Sequence, residues 1–320
     1  MKHASIGTGI REKPVRFLST RSFKRSYVVA AAMAVLSLPP LNLVACFAQA
    51  PAGNPPEQPD LFAQIIANQK QVDANLNMYE RIERLEIRKT ASDPTPAEVK
   101  VWRVFPSGTG MSKILLGPEG RAASPESYRS ALEKLETTLL WAAQDGPAQR
   151  EAYNKVERRR KERNDLIDST RKAFFFTKIG EETRGDRVLV KYDMHPNPAY
   201  KPTTRNEILF TRVRGTVWID KESSQLARVE GHVTEDISLA LFLAKVYRGS
   251  YFMQERYELA PGVWLPTYQQ YDFDGRKFLV PFSIHERNFY THYRRVGPPK
   301  EAIETVRNEL NKLKSDRADP

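Results

Sequence analysis

Histidines, a lone cysteine and two close aspartates are the residues of this chain with the chemistry for metal binding or catalysis. None of its five histidines forms an HExxH motif or a pair at helical spacing, so the sequence predicts no metal site and no cofactor. His285 and His292 lie seven residues apart, a spacing that would place them on opposite faces of a single strand and favours structural roles. The five are His3, His195, His232, His285 and His292.

Asp272 and Asp274 precede Gly275 in the sequence DFDG, a pattern typical of turn chemistry rather than of a catalytic pair. The sequence also lacks the GxSxG, P-loop and GxGxxG motifs of acyl hydrolases, nucleotide-binding proteins and dinucleotide-binding proteins. We therefore expect no catalytic activity, and an enzyme is the weakest of the functional hypotheses.

The first 50 residues have the features of a secretory leader. They carry seven basic residues and one acidic residue, and the basic region ends at Arg25. The apolar stretch Tyr27–Leu38 follows and stops at two prolines, short of the roughly 20 residues of a membrane span. The pattern favours cleaved export to the periplasm over an uncleaved anchor.

Cys46 ends the segment Leu43–Cys46, which resembles the lipobox of bacterial lipoproteins. A lipidated Cys46 would hold the protein at a membrane surface, here that of the outer membrane. Ordinary cleavage after Ala48 or Ala50 is the alternative, since small residues recur there. Either way the mature protein has no disulfide, so packing alone must hold its core together.

The net charge of the chain is +11 at pH 7, and more than half of it belongs to the leader. The remaining charge is spread over both signs, whereas nucleic-acid-binding proteins concentrate basic residues on one face. We therefore predict no nucleic-acid partner. The basic run Arg158–Lys161 is interleaved with Glu157 and Glu162, which favours a solvated helix face over a lipid-headgroup or partner contact.

Alternating side chains predict a β-hairpin at Gly215–Val233, with Val217 and Ile219 on one face and Trp218 on the other. On its second strand, Ala227 and Val229 share a face by the same alternation. Together with this hairpin, period-two patterns predict nine or ten antiparallel strands. The others are Tyr79–Thr90, Val99–Phe105, Met111–Leu116, Ala173–Lys178, Arg187–Met194, Tyr251–Leu259, Val263–Phe273 and Lys277–Tyr290, with turns at GEETRG and DFDG.

Four regions follow from these patterns. Residues 1–50 form the leader, 51–59 a flexible tether, and 60–296 the main domain, which includes a helical segment at 124–172. Residues 297–320 form an amphipathic C-terminal helix that packs loosely outside. The apolar segment Ile237–Tyr247 is either a core element or a lid over an apolar cavity.

A long sheet with one apolar face must curl or be covered. The sequence therefore predicts an α+β, mainly antiparallel β fold: a strongly curved, unclosed β-barrel, or half-barrel, wrapped around or covered by helices.

The strand GTVWID, the following strand LARVEG and the later segment YELAPGVWLPTYQQYDFDG together resemble the outer-membrane lipoprotein-sorting proteins, the LolA- and LolB-like superfamily. The resemblance covers roughly residues 173–293 and identifies the chain as similar to a divergent periplasmic member. It implies an unclosed β-barrel that binds lipid or lipoprotein acyl chains in an apolar cavity. Two features depart from a plain soluble carrier, namely the charged helical segment Ser124–Arg171 and a lipidated Cys46.

The residues expected to line the cavity are Val217, Ile219, Val229, Phe278, Val280 and Phe282, with Leu239, Phe242 and Leu243 as plug or lid. A filled core made of the same residues is the alternative for the structure. An envelope scaffold that binds a protein partner through strand edges, the connector 195–202 or the basic helix is the alternative for the function.

Overall fold

The structure of the chain is a computed structural model, and it describes residues 61–122, 124–239, 244–278 and 280–315. Four α-helices lie in these ranges: α1 (Leu61–Leu76), α2 (Pro125–Ala142), α3 (Pro147–Ala173) and α4 (Pro299–Ser315). The strands are β1 (Tyr79–Arg88), β2 (Glu98–Pro106), β3 (Met111–Leu116), β4 (Phe174–Arg184), β5 (Arg187–Pro196), β6 (Val213–Asp220), β7 (Leu226–Val233), β8 (Ile237–Leu239), β9 (Ala244–Val246), β10 (Tyr251–Ala260), β11 (Val263–Lys277) and β12 (Val280–Arg295). A short 3-10 helix, Asn206–Thr211, precedes β6.

The twelve described strands form one antiparallel sheet that does not close. Ten of them follow the order β3-β2-β1-β12-β11-β10-β7-β6-β5-β4, and the small β8–β9 hairpin joins through β9 to β11. Because β3 and β4 lie at opposite ends of this order, they are the edges of the sheet. This arrangement confirms the predicted α+β fold with an unclosed half-barrel.

The main cluster packs α1 and the β8–β9 hairpin onto one face of this sheet, which we call the inner face. Its members come from α1, the end of α3 and strands β4 to β9, β11 and β12. Burial of each Val, Ile, Phe or Met side chain in this cluster contributes roughly 1.5–3 kcal/mol. The buried members are Ile65, Ala173, Phe174, Met194, Val213, Val217, Ile219, Val233, Ile237, Val246, Tyr271, Phe273 and Ile284.

A second cluster docks the C-terminal helix against α2 and strands β2 and β3. Ala302 and Val306 of α4 are completely buried, as are Leu132 and Leu139 of α2. The prediction that this helix packs loosely outside was therefore wrong, because its apolar stripe meets an equally apolar stripe of α2. The buried members are Val101, Phe105, Ile114, Leu116, Leu132, Leu135, Leu139, Val296, Ala302, Ile303, Val306 and Leu310.

Two of the predicted turns lie inside strands. Strand β11 runs through Asp272–Gly275 because these residues pair across to β12, Asp272 with His285 and Gly275 with Phe282. Strand β4 likewise extends to Arg184, so the turn before β5 consists only of Gly185 and Asp186. Polar sequence predicted turns here, but cross-strand partners for the charged side chains let the strands continue.

A β-bulge changes the alternation of the central hairpin. Trp218 pairs with Arg228 and Ile219 pairs with Leu226, which leaves Ala227 as the extra residue. Leu226 therefore packs against the main cluster, whereas Ala227 packs with Trp218 in a separate third cluster. The prediction that Ala227 shares a face with Val229 was wrong because simple alternation does not include a bulge.

None of the described helices combines the length and the hydropathy that a bilayer crossing requires. The predicted leader, with Tyr27–Leu38, lies outside the described residues.

Candidate functional site

Four of the predicted cavity residues lie together on the inner face. Val217 and Ile219 are buried members of the main cluster, and only 5% and 2% of their surfaces are exposed. Val229 and Phe282 are half-buried and pack against the same cluster. The structure thus brings these four residues, from β6, β7 and β12, into one apolar surface.

Phe278 and Val280 lie elsewhere, with 57% and 67% of their surfaces exposed. Phe278 has a positive φ of 56° in the turn between β11 and β12, so of the three cavity residues predicted in this region only Phe282 packs against the main cluster. Leu239 belongs to β8 by its backbone, but its side chain is not described. Phe242, Leu243 and Cys46 lie outside the described residues.

Half-buried aromatic side chains surround the main cluster, and sequence reasoning did not assign them to the site. Phe62 of α1 stacks on Phe176 of β4, with ring centroids 4.3 Å apart, and meets Tyr192 of β5 edge-on at 5.5 Å. Phe210, from the 3-10 helix, meets Phe174 edge-on at 5.5 Å. The period-two spacing of Phe174 and Phe176 was the available signal. Their contacts with Phe62 join segments too distant in sequence to be inferred.

Helix α1 covers the inner face with an apolar side and a few polar contacts. Ile65 is buried in the main cluster and Phe62 lies among the aromatic rings. Asn68 donates hydrogen bonds to the backbone oxygens of Ser223 and Ser224, at 3.2 and 3.0 Å, in the turn between β6 and β7. Helix α1, the first helix after the predicted tether, therefore covers part of the inner face.

The two aspartates predicted to be turn residues belong instead to a polar network between β11 and β12. The Asp272 carboxylate forms a hydrogen bond with His285 Nδ1 at 3.1 Å and an ion pair with Arg287 at 2.9 Å. The Ser283 hydroxyl donates to Asp274 at 2.6 Å. Since this hydroxyl is bonded to a carboxylate rather than to an imidazole, the network does not have the arrangement of an activated serine nucleophile.

Asp220 is a buried carboxylate that builds the turn of the central hairpin, and it is only 1% exposed. It accepts hydrogen bonds from the Ser223 backbone N–H at 2.8 Å and the Ser223 hydroxyl at 2.6 Å, and it pairs with Arg187 at 3.2 Å. Burial alone would raise the pKa of Asp220, but these hydrogen bonds and the Arg187 charge lower it below its ordinary value.

An Asp220→Asn variant is expected to lose about 1–3 kcal/mol of unfolding free energy near neutral pH. Because the folded pKa of Asp220 is lowered, its contribution is present above the unfolded pKa of about 4 and is lost as pH falls through the folded pKa. Urea denaturation at several pH values should show the difference between the two proteins shrinking on acidification.

The matched control is Asp145→Asn, since the Asp145 side chain is 89% exposed. That variant should change the stability by less than about 0.5 kcal/mol. If the loss of unfolding free energy in Asp220→Asn stays constant on acidification, that result would contradict the lowered pKa of Asp220 in the folded protein.

Within the described residues, no group of three or more His, Cys, Asp or Glu side chains is placed to hold a metal ion. The arrangement on the inner face instead offers apolar surface, aromatic rings and a covering helix. Such a surface can take up an apolar chain.

No family model matches this chain, and no curated protein matches it. Among solved structures, one neighbour is described as an outer membrane lipoprotein-sorting protein domain from Vibrio parahaemolyticus, with 10% identity and a TM-score of 0.30 over 78% of this chain and 99% of that one. A second is a DUF1329 family protein from Desulfovibrio piger, with 11% identity and a TM-score of 0.26 over 73% of this chain and 91% of that one.

Proposed function

We propose that the chain is an exported, non-catalytic protein of the bacterial cell envelope that binds lipid or lipoprotein acyl chains on the inner face of its half-barrel. The observation that carries the proposal is the apolar main cluster with its border of half-buried aromatic side chains beneath α1. The predicted leader supports export, and a lipidated Cys46 would anchor the protein to the outer membrane.

The energy of acyl burial suits this surface. Each methylene removed from water contributes about 0.8 kcal/mol, so a chain of ten methylenes contributes about 8 kcal/mol. The half-buried members, among them Val229, Phe252 and Phe282, still have apolar surface to cover. A bound acyl chain would bury this remaining surface.

Helix α1 is the element that must move for a chain to enter. Its apolar contacts through Phe62 and Ile65 are of the kind that an acyl chain can replace. Its polar contacts through Asn68, and the ion pair of Lys70 with Asp168 of α3 at 2.7 Å, can hold one end of the helix while the other opens. Chain uptake would then exchange helix–sheet contacts for ligand–sheet contacts.

Partner binding without a lipid is the second candidate function, and the edge strand β4 favours it. Phe175 and Ile179 of this strand are 48% and 55% exposed. An edge strand with exposed apolar side chains can take an added strand from a partner. The tight burial of Val217 and Ile219 also agrees with a filled core.

A substitution that places a charge on the inner face distinguishes acyl binding from partner binding. Leu226→Asp places a carboxylate at a half-buried position against the main cluster, so binding of a pyrene-labelled phospholipid should fall at least tenfold. Leu115→Asp is the matched control because Leu115 is 66% exposed on edge strand β3. Circular dichroism shows whether each variant is folded.

If Leu226→Asp does not fold, Leu226→Asn introduces a polar group of similar size without a charge. Undiminished lipid binding by a folded Leu226 variant would place the ligand elsewhere. Absence of lipid binding by the unaltered chain would favour the partner-binding function.

A further inference from the structure

A pocket of about 330 Å³ lies near the ends of strands β5, β10 and β11, apart from the main cluster. Its apolar floor belongs to the third cluster, which consists of Val72, Leu189, Trp218, Ala227 and Trp264. Charged and polar side chains form the rest of the pocket lining. The full lining is Arg184, Arg187, Leu189, Ala227, Glu255, Arg256, Tyr257, Trp264 and Thr267.

Trp264 provides a hydrogen-bond donor at this pocket. Only 1% of its surface is exposed, and its Nε1–H has no acceptor among the described residues. A buried donor without an acceptor costs about 1–3 kcal/mol, so such a group calls for an explanation. A ligand oxygen that reaches this buried nitrogen would supply the acceptor.

Three guanidinium groups and one carboxylate line the pocket, and three further carboxylates, those of Glu182, Asp220 and Glu258, pair with Arg184 and Arg187. Arg187 lies over the Trp264 ring, 5.2 Å from its centroid. It pairs with Asp220 at 3.2 Å and with Glu258, and it is half-buried. Because each guanidinium has five N–H donors, these carboxylates leave donor capacity for a further anion.

Arg184 is the more accessible cation. Its side chain is 38% exposed, and its contacts with Glu255 and Glu182 are long, at 3.3 and 3.5 Å. Contacts of that length are weak and can be exchanged for a shorter bond to a better acceptor. An oxyanion with several oxygens can accept from both Arg184 and Arg187, because these two residues are paired across the β4–β5 hairpin.

The geometry points to an anion-binding site for a phosphate group at this pocket, with Trp264 Nε1–H, Arg184 and Arg187 as donors. This inference goes beyond acyl binding and does not depend on it. The phosphate can come from a phospholipid headgroup or from a free phosphate compound. Both sources present the same oxygens to the same donors.

The test follows the indole N–H signals of the full-length chain by nuclear magnetic resonance, since its four tryptophans give four such signals. Trp264→Phe assigns the signal of interest. One titration uses inorganic phosphate and the other uses micelles of dihexanoyl-phosphatidylglycerol. We expect at least one of them to shift that signal saturably. A shift with phosphate alone indicates a free compound, and a shift with the lipid indicates the headgroup.

Affinity measurements on variants test the donors themselves. Trp264→Phe removes the N–H and keeps an aromatic ring, and Arg184→Gln removes one cation, so each should weaken phosphate-group binding about tenfold in calorimetry. Arg307→Gln is the control, because Arg307 lies on α4 with its side chain 52% exposed. The inference is overturned if neither ligand moves the Trp264 signal. It is also overturned if Arg184→Gln, a substitution that the fold should tolerate because Arg184 is partly exposed, binds phosphate as tightly as the unaltered chain.

Discussion

A Gly215→Ala variant is expected to lose about 3 kcal/mol of unfolding free energy or more, because a methyl group has no room there. A Cβ at position 215 would lie 1.9 Å from the backbone oxygen of Glu230 and 2.8 Å from Gly231 Cα. Both contacts are with the paired strand β7, whose backbone cannot move without breaking the central hairpin. Urea denaturation measures the loss.

Gly110→Ala is the matched control, since nothing lies within 4 Å of a Cβ at that position. Its stability should stay within about 0.5 kcal/mol of the unaltered protein. Equal stabilities of the two variants would show that β6 and β7 do not approach each other as closely as described.

An Arg103→Met variant is expected to lose about 3–5 kcal/mol of unfolding free energy, because it removes the buried cation that joins Glu80 to Glu309. Arg103 of β2 pairs with Glu80 of β1 at 2.7 Å and with Glu309 of α4 at 2.8 Å. It also donates to the Tyr128 hydroxyl of α2 at 2.6 Å, and that hydroxyl donates to Glu309 at 2.7 Å. Burial and the bond to Glu309 raise the pKa of Tyr128 to about 12.

Arg307→Met tests whether any ion pair between α2 and α4 would have this effect. Arg307 pairs with Glu136 at 2.6 Å, but its side chain is 52% exposed, so the loss should stay below about 1 kcal/mol. Thermal or urea denaturation of both variants gives the comparison. Similar losses would mean that the buried network around Arg103 does not stabilise the docking of α4.

Alternation along the strands was enough to predict the inner face around the central hairpin. Val217 and Ile219 were expected to face the interior, and both are buried there. The errors occurred where pairing overrides local composition, at the bulge beside Ala227 and in the strand that continues through Asp272. A bulge and a cross-strand partner depend on the neighbouring strand, which the local pattern does not contain.

The rest of the candidate site could not be derived because it joins distant segments. Phe62 of α1 reaches Phe176 and Tyr192 across more than a hundred residues. Arg184 and Trp264, at the charged pocket, come from β4 and β11. Each residue alone has an ordinary structural interpretation, and only the fold places them together.

An inner face for acyl chains and a charged pocket for a phosphate group would suit the two parts of one amphipathic ligand. The third cluster links the two regions to α1, since Val72 of α1 packs there while Ile65 packs in the main cluster. Movement of α1 would therefore affect both. The two sites remain separable, since Leu226→Asp tests the first and Arg184→Gln the second.

Native mass spectrometry of the protein, purified gently from a bacterial envelope, tests the central claim most directly. Acyl binding on the inner face predicts discrete added masses in the range of phospholipids or acylated fragments, and these should be lost on delipidation. A mass equal to that of the polypeptide alone, unchanged after incubation with phospholipid, would contradict the proposal and indicate a filled core.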